Sequence, residues 1–238
     1  MGGVGKSSGV NEITKTGKNE PKQRVLSVTA GDGISEKEVA EATKVYQEAF
    51  KTIQKADPTV KKAVEQLFNE GLQLYIVDRI SGRSNKGNMI LMGLARYDEY
   101  DRTQIYISRA TLAAAKNPLK QKYDSNGNPW NVGTTATHVI MHELGHAITR
   151  KYVKTPGVPR SKVDMDMVVK EAHRKYVEEQ GHKIGLKYFT QMVSRYASTN
   201  SSETIAEAFS DVIVNKHLAH DASRYVYDEL NKYIKRNK

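Results

Sequence analysis

The sequence predicts an α+β protein, a mainly helical single domain with a small sheet placed before a helix that carries an HExxH motif. Three observations support this prediction. The chain has 238 residues, the length of one domain. Three short strand patterns occur between positions 72 and 108, and the stretch after a turn cluster at 126–129 has helical periodicity. Helices, a small sheet and then further helices are typical of α+β domains.

Each element follows from a local pattern. Ser35 and Glu38 form a capping-box pattern ahead of a helical stripe that reaches Ile53, and Asp57-Pro58 starts a second helix. Turn signals at Ser81-Gly82 and Lys86-Gly87 punctuate the strand region. Strands are predicted over 72–78, 89–95 and 104–108. Further helices are predicted over about 135–150, 161–180, 184–195, 203–217 and 222–236.

Composition limits the classes of protein that the sequence can encode. The absence of cysteine excludes a disulfide scaffold, a thiolate zinc site and a cysteine nucleophile. The net charge of +10 favours anionic partners but does not identify a fold. Residues 1–24 are rich in Gly, Lys, Ser and Thr and have no apolar face. We therefore predict a flexible basic tail over 1–24, followed by one domain over 25–238.

No targeting segment is evident in the sequence. The tail lacks the apolar core of a secretory signal, and the longest uncharged apolar runs are far shorter than the ~20 residues that span a bilayer. These features predict a protein without a membrane span that is cytoplasmic, virion-associated or exported by a non-classical route. The sequence leaves the oligomeric state open.

The motif that carries chemistry is His142-Glu143-Leu144-Gly145-His146. On a helix, residues i and i+4 share a face, so His142 and His146 can converge on one metal ion. Glu143 lies beside them, where it can take a proton from a metal-bound water. Three protein ligands plus a water are typical of catalytic zinc, whereas a structural zinc site is closed by a fourth ligand. The motif therefore predicts catalytic Zn²⁺ on a helix capped by Thr134 or Thr135.

The third ligand must come from another segment. His138 lies one turn before His142, but a straight helix cannot bring positions i, i+4 and i+8 to one ion, so we expect His138 to support the site without ligating. Glu203 and Glu207 share one face of a later helix. Two interpretations of Glu203 remain open: a metal ligand, or a capping-box partner of Asn200.

The two motifs together resemble a known family. HELGH, followed by Tyr196, Glu203 and then Ala206-Glu207-Ala208-Phe209, is similar to the HExGH and Y-x6-E-x-x-A-E-x-F motifs of the anthrax lethal factor family. That family includes the clostridial Pro-Pro endopeptidases. The similarity covers mainly residues 134–214. Here Ile205 replaces an aromatic residue that often follows the ligand Glu in the family, and the stretch from His146 to Glu203 is long.

The resemblance implies a zincin-like fold of the gluzincin type and a zinc metalloendopeptidase acting on protein or peptide substrates. The zinc ligands would be His142, His146 and Glu203, with Glu143 as the general base. Tyr196 would assist at the oxyanion or the leaving group, and Glu207 would orient a ligand histidine. We also expect the strand at 104–108 to pair with an extended substrate.

Two other functions are compatible with the sequence. A phage or mobile-element structural or toxin-associated protein could retain a vestigial zinc site. A basic nucleic-acid-binding module would use the positive charge, but no helix-turn-helix, RNA-recognition or zinc-finger pattern accompanies that charge. We therefore do not expect a nucleic-acid partner. Metal content separates the enzyme from the nucleic-acid module, and peptidase activity separates it from the vestigial site.

Overall fold

The computed structural model describes residues 26–84, 87–123, 125, 127, 129–154 and 162–237, with the side chains of 82–91 left aside. The predicted tail over 1–24 lies outside the described residues. The strands are β1 Val28–Ala30, β2 Gln73–Val77, β3 Ile80–Ser84, β4 Gly87–Leu91, β5 Gly93–Tyr97 and β6 Thr103–Ser108. The helices are α1 Glu36–Ile53, α2 Pro58–Asn69, α3 Arg109–Lys116, α4 Ala136–Tyr152, α5 Lys162–Gln180, α6 Leu186–Val193, α7 Ser201–Asn215 and α8 Asp221–Arg236. This is a mainly helical α+β architecture, as the sequence predicts.

The first two helices begin where the sequence places them. The Ser35 hydroxyl accepts a hydrogen bond from the Glu38 amide, and the Glu38 carboxylate accepts one from the Ser35 amide, so the predicted capping box is present. The Asp57 side chain caps α2, with Pro58 in its first turn. Both caps satisfy amide groups that the first turn of a helix leaves without partners.

Four strands form the main sheet in the order β1-β2-β6-β5. β1, β2 and β6 run parallel, and β5 runs antiparallel to β6. β3 and β4 form a separate antiparallel hairpin. β6 therefore has both edges occupied, and the expectation that the strand at 104–108 would pair with a substrate is wrong. The edge strands of this sheet are β1 and β5, and no other described strand pairs with the outer side of β5.

The apolar run predicted as one strand over 89–95 is two strands, β4 and β5, which meet at Met92. The carbonyl oxygen of Met92 accepts hydrogen bonds from the Ser108 amide and the Thr111 hydroxyl. These contacts fix the chain where the hairpin ends and the main sheet begins. The turn signal at Ser81-Gly82 was also misinterpreted, since both residues lie within β3.

One face of the sheet and the surrounding helices enclose a single hydrophobic core. Leu74 and Ile76 of β2 and Ile105 and Ile107 of β6 form the sheet's contribution to that core. α4 lies at its centre and packs most extensively against α7. α4 contributes the buried apolar residues Ile140, Met141, Leu144, Ala147 and Ile148. Among the described residues, no helix combines the length and the apolar character that crossing a bilayer requires.

Gly145 permits the close approach of α4 and α7. A Cβ atom at this position would lie 2.9 Å from Cα and 3.3 Å from the carbonyl oxygen of Ala206. Both contacts are with backbone, which cannot turn aside as a flexible side chain can. Glycine at this position therefore allows the two helices to pack tightly.

Gly145→Ala should destabilise the protein, although alanine favours a helix by about 1 kcal/mol over glycine. Overpacking against the Ala206 backbone should lower the free energy of unfolding by about 1–3 kcal/mol net. Chemical denaturation with a metal chelator present would measure the packing effect without metal binding. A variant as stable as wild type would contradict the role assigned to the close contact.

Candidate metal centre

α4 carries both histidines of the motif on the side that faces α7. The Thr135 hydroxyl accepts a hydrogen bond from the His138 amide and caps the helix. His142 follows His138 by one turn of the helix, and His146 follows it by two. The ring centroids of His142 and His146 lie 4.7 Å apart, and their Nε2 atoms are 3.1 Å apart. The i, i+4 spacing has thus brought two imidazole nitrogens to one point, as expected for a helix.

α7 brings Glu203 to the same point. Its carboxylate oxygen Oε2 lies 3.1 Å from Nε2 of His142 and 3.3 Å from Nε2 of His146. The Asn200 side chain caps α7 by accepting a hydrogen bond from the Glu203 amide. The backbone of Glu203 therefore takes part in the cap, while its carboxylate faces the histidines. This geometry favours the ligand interpretation of the side chain.

The three side chains fit a metal ion. Their ligand atoms all lie within 4.8 Å of one another. Oε2 of Glu203 is buried and makes no hydrogen bond, which is costly for a carboxylate oxygen without a compensating partner. Two imidazole nitrogens and one carboxylate oxygen are a donor set that suits zinc and related divalent cations. The described residues can therefore hold a metal ion at this point.

Opposite charges stabilise the group in the absence of metal. Burial disfavours the charged form of Glu203, but His142 and His146 more than offset this and hold the pKa of its carboxyl well below the usual range. Burial also opposes protonation of His142, yet Glu203 and Glu207 raise the pKa of its imidazole. The carboxylates thus favour a positive charge at this point, which a divalent cation can supply.

Glu207 holds His142 from the side opposite Glu203. Its Oε1 lies 2.9 Å from Nδ1 of His142, a distance typical of an ion pair, although the geometry falls short of a hydrogen bond. Its Oε2 accepts hydrogen bonds from the Val132 amide and the Ser194 hydroxyl, both at 2.9 Å. A carboxylate placed in this way fixes the ring orientation of a ligand histidine and increases its basicity.

Glu207→Gln should weaken metal affinity by about 10–100-fold, the usual effect of changing a group that orients a ligand histidine. The amide cannot carry the negative charge that raises the basicity of His142. Competition with a zinc-binding dye would give the affinity, and circular dichroism would show whether the helices persist. Unchanged affinity in a folded variant would exclude this role for Glu207.

The remaining histidine contacts include one that the sequence did not reveal. Nδ1 of His146 lies 3.1 Å from the hydroxyl of Ser202, in the first turn of α7. Ser202 directly precedes Glu203, and its contact with His146 depends on the packing of α7 against α4, which the sequence does not show.

His138 is buried and lies outside the three-residue group. Its ring contacts Thr135 and Asn215 at 2.8 and 3.2 Å.

Glu143 lies beside the metal-binding group in a confined space. The backbone of Ala95 on β5 hydrogen-bonds its carboxylate. A Cβ atom at Gly93 would lie 2.8 Å from both Cγ and Oε1 of Glu143, so only glycine leaves room for this side chain. Burial raises the pKa of Glu143, although the adjacent histidines partly oppose the shift. The result is a buried carboxyl with increased affinity for a proton.

Tyr196 reaches the same site from the turn that precedes α7. Its ring centroid lies 5.9 Å from that of His142, and its amide donates a 2.8 Å hydrogen bond to the carbonyl oxygen of Trp130. No described residue hydrogen-bonds its hydroxyl. Burial raises the pKa of Tyr196, and the neighbouring carboxylates raise it further, so the hydroxyl keeps its proton at neutral pH.

An open cleft passes through the site and has two parts. The first, which we name the β5 arm, has a volume of about 350 Å³ and extends along Leu94, Ala95 and Tyr97. The second, the loop arm, has a volume of about 470 Å³ and extends along residues 119–122 and 130–134. Both arms are lined by Gly93, His142, Glu143 and Tyr196.

No family model matches this chain, and no curated protein has a significant sequence match to it. The resemblance to the anthrax lethal factor family therefore depends on the motif residues themselves and on where the fold places them.

Proposed function

We propose that this protein is a zinc-dependent metalloendopeptidase with a zincin-like, gluzincin-type domain. The observation that carries the proposal is the convergence of His142, His146 and Glu203 within 4.8 Å, with Glu143 buried beside them in an open cleft. Both motifs of the resemblance contribute to this one site. A bound zinc ion would supply Lewis-acid polarisation and a lowered pKa for a coordinated water.

Glu143 is the proposed proton carrier. As a carboxylate it accepts a proton from the attacking water, whose oxygen bonds to the carbonyl carbon of the substrate. It then delivers that proton to the amide nitrogen as the C–N bond breaks, so the leaving group departs as an amine. The raised pKa of Glu143 suits a group that must both accept and release a proton during one turnover.

Tyr196 is the proposed donor to the oxyanion. Its hydroxyl faces the cleft shared with Glu143 and has no partner among the described residues, so it is available to a substrate oxygen. Hydrogen-bond donors aimed at developing negative charge stabilise the transition state more than the ground state.

β5 is the proposed substrate platform. Its outer edge is free of other described strands, and its residues line the cleft. An extended peptide can add to such an edge through backbone hydrogen bonds, and antiparallel pairing is slightly the more stable arrangement. The cleft continues on both sides of Glu143, which allows a chain to pass through and favours an endopeptidase.

Metal analysis of the purified protein tests the proposal. We expect one zinc per chain, and we expect His142→Ala and Glu203→Ala to lose it. His217→Ala is a matched control because His217 is exposed and is not part of the three-residue group. Wild-type zinc affinity in His142→Ala would refute the site. Zinc binding without any peptide hydrolysis would instead support the alternative of a vestigial site.

A further inference from the structure

The loop arm has an unbalanced positive charge. Lys120 and Lys122 line it, both are exposed, and neither forms an ion pair with a described carboxylate. Among the described residues that line this arm, the acidic groups are Glu143 and Glu207, and both are buried. Glu207 is fully engaged with His142, Val132 and Ser194. Among the described residues that line the arm, no acidic group is therefore free to neutralise the two ammonium groups.

The wall that carries these lysines is tied to the rest of the site. The Leu119 amide donates to the Thr134 carbonyl, and the Trp130 amide donates a 2.7 Å hydrogen bond to the Lys122 carbonyl. The Trp130 carbonyl in turn accepts the hydrogen bond from the Tyr196 amide. Backbone hydrogen bonds thus connect the lysine segment, Trp130 and Tyr196, which fixes the main chain that carries the two lysines relative to Tyr196.

The β5 arm differs because its cation is already compensated. The Arg150 guanidinium carbon lies 3.6 Å from the ring centroid of Tyr97, and the same guanidinium pairs with Asp101. An acidic substrate residue in this arm would compete with Asp101. An acidic substrate residue in the loop arm would meet the ammonium groups of Lys120 and Lys122, which no described carboxylate pairs with.

We propose that the loop arm is a subsite for a substrate carboxylate, recognised by Lys120 and Lys122 on the C-terminal side of the scissile bond. The proposal rests on the proposed peptidase function. β5 runs from Gly93, which both arms share, to Tyr97 in the β5 arm. A substrate antiparallel to β5 therefore enters the β5 arm with its N-terminal part and the loop arm with its C-terminal part. Trp130 adds an aromatic surface for the stem of the acidic side chain.

Cleavage of a mixed peptide library, blocked at both ends, gives the first test. The zinc-loaded wild type should favour Glu or Asp over Gln or Asn after the scissile bond by about three- to tenfold, the effect of two exposed ion pairs. The preference should decrease in 1 M salt, where the Debye length is only ~3 Å. Lys120→Glu/Lys122→Glu should abolish or reverse it.

Lys44→Glu/Lys62→Glu is the matched control. It changes the net charge by the same amount with exposed lysines that line neither arm. An equal loss of preference in this control, or an unchanged preference in Lys120→Glu/Lys122→Glu, would overturn the proposal. An acid preference before the scissile bond would also overturn it. Repeating the cleavage with free C-termini distinguishes a side-chain carboxylate from a terminal one.

Binding provides a readout that does not require hydrolysis. Trp130 is the single tryptophan of the chain and lines the loop arm, so its fluorescence reports occupancy there. Zinc-loaded Glu143→Gln protein would be titrated with acetylated, amidated alanine hexapeptides that contain one Glu or one Gln. A Glu preference that requires both lysines, without cleavage by wild type, would support the subsite and refute the peptidase. Equal binding of the two peptides would refute the subsite.

Discussion

Replacing Glu143 with glutamine should reduce peptide hydrolysis by about 10²–10⁴-fold, the usual contribution of general acid–base catalysis, while zinc binding stays at the wild-type level. Glutamine keeps the size of the side chain and can still contact the Ala95 backbone. It cannot accept the proton of the attacking water. Because Glu143 is outside the three-residue ligand group, the substitution removes no ligand.

The environment of Glu143 should also determine how the rate of peptide hydrolysis depends on pH. Burial raises the pKa of this carboxyl above its ordinary value, and hydrolysis requires the ionised form as base. Activity should therefore fall as the pH decreases through this raised pKa, above the ~4.3 of an unperturbed glutamate. The acid limb of a kcat/KM profile measured with one peptide would show the shift.

A useful control is Glu65→Gln, an exposed carboxylate on α2 that should change neither activity nor metal content. Zinc content and thermal unfolding must match wild type in both variants before the kinetics are compared, because loss of metal can itself unfold a metal site. Near-wild-type turnover in Glu143→Gln would exclude the proposed proton carrier.

The candidate site was largely predictable because its residues are encoded in local patterns. The HExxH spacing fixes His142 and His146 on one helical face, whatever surrounds the helix. Glu203 was ambiguous, since the same residue fits a capping box and a ligand position. What favours the ligand interpretation is the approach of its carboxylate to both histidines, a contact between α4 and α7 that no local pattern encodes.

The edge of the sheet was not predictable from the strands alone. The pattern at 104–108 predicts a strand correctly, but strand order depends on long-range pairing. β6 lies between β2 and β5, so the edge strand that lines the cleft is β5. The apolar run over 89–95 gives no sign that β5 is a separate strand, because the sequence stays apolar through Met92. The backbone pairing nevertheless changes there, since β4 pairs with β3 and β5 pairs with β6.

Two further elements were missed for different reasons. β1 has only three residues, too few to show alternation. α3 contains Leu112-Ala113-Ala114-Ala115, a run of strong helix formers that indicates a helix although the element is only eight residues long. Gly93, in contrast, could not be recognised from the sequence, because its role is to leave space for a side chain fifty positions later.

Tyr196→Phe should lower kcat by about 10²–10³-fold with little change in substrate affinity, as found for the loss of one donor in oxyanion sites. The hydroxyl is proposed to act on charge that exists only in the transition state, so its removal affects turnover and not ground-state binding. The raised pKa of Tyr196 is important here, because the hydroxyl keeps its proton at neutral pH and remains a donor there.

The competing explanation of Tyr196 is an apolar anchor whose ring packs near His142. If this explanation holds, phenylalanine preserves the ring contact and leaves turnover unchanged. The hydrogen bond between the Tyr196 amide and the Trp130 carbonyl uses only main-chain atoms, so Tyr196→Phe retains it under both explanations. Tyr188→Phe, an exposed tyrosine on α6, controls for nonspecific loss of a phenol. With zinc content equal in all three proteins, a kcat lowered only in Tyr196→Phe assigns catalysis to the hydroxyl, and an unchanged kcat assigns the position to packing.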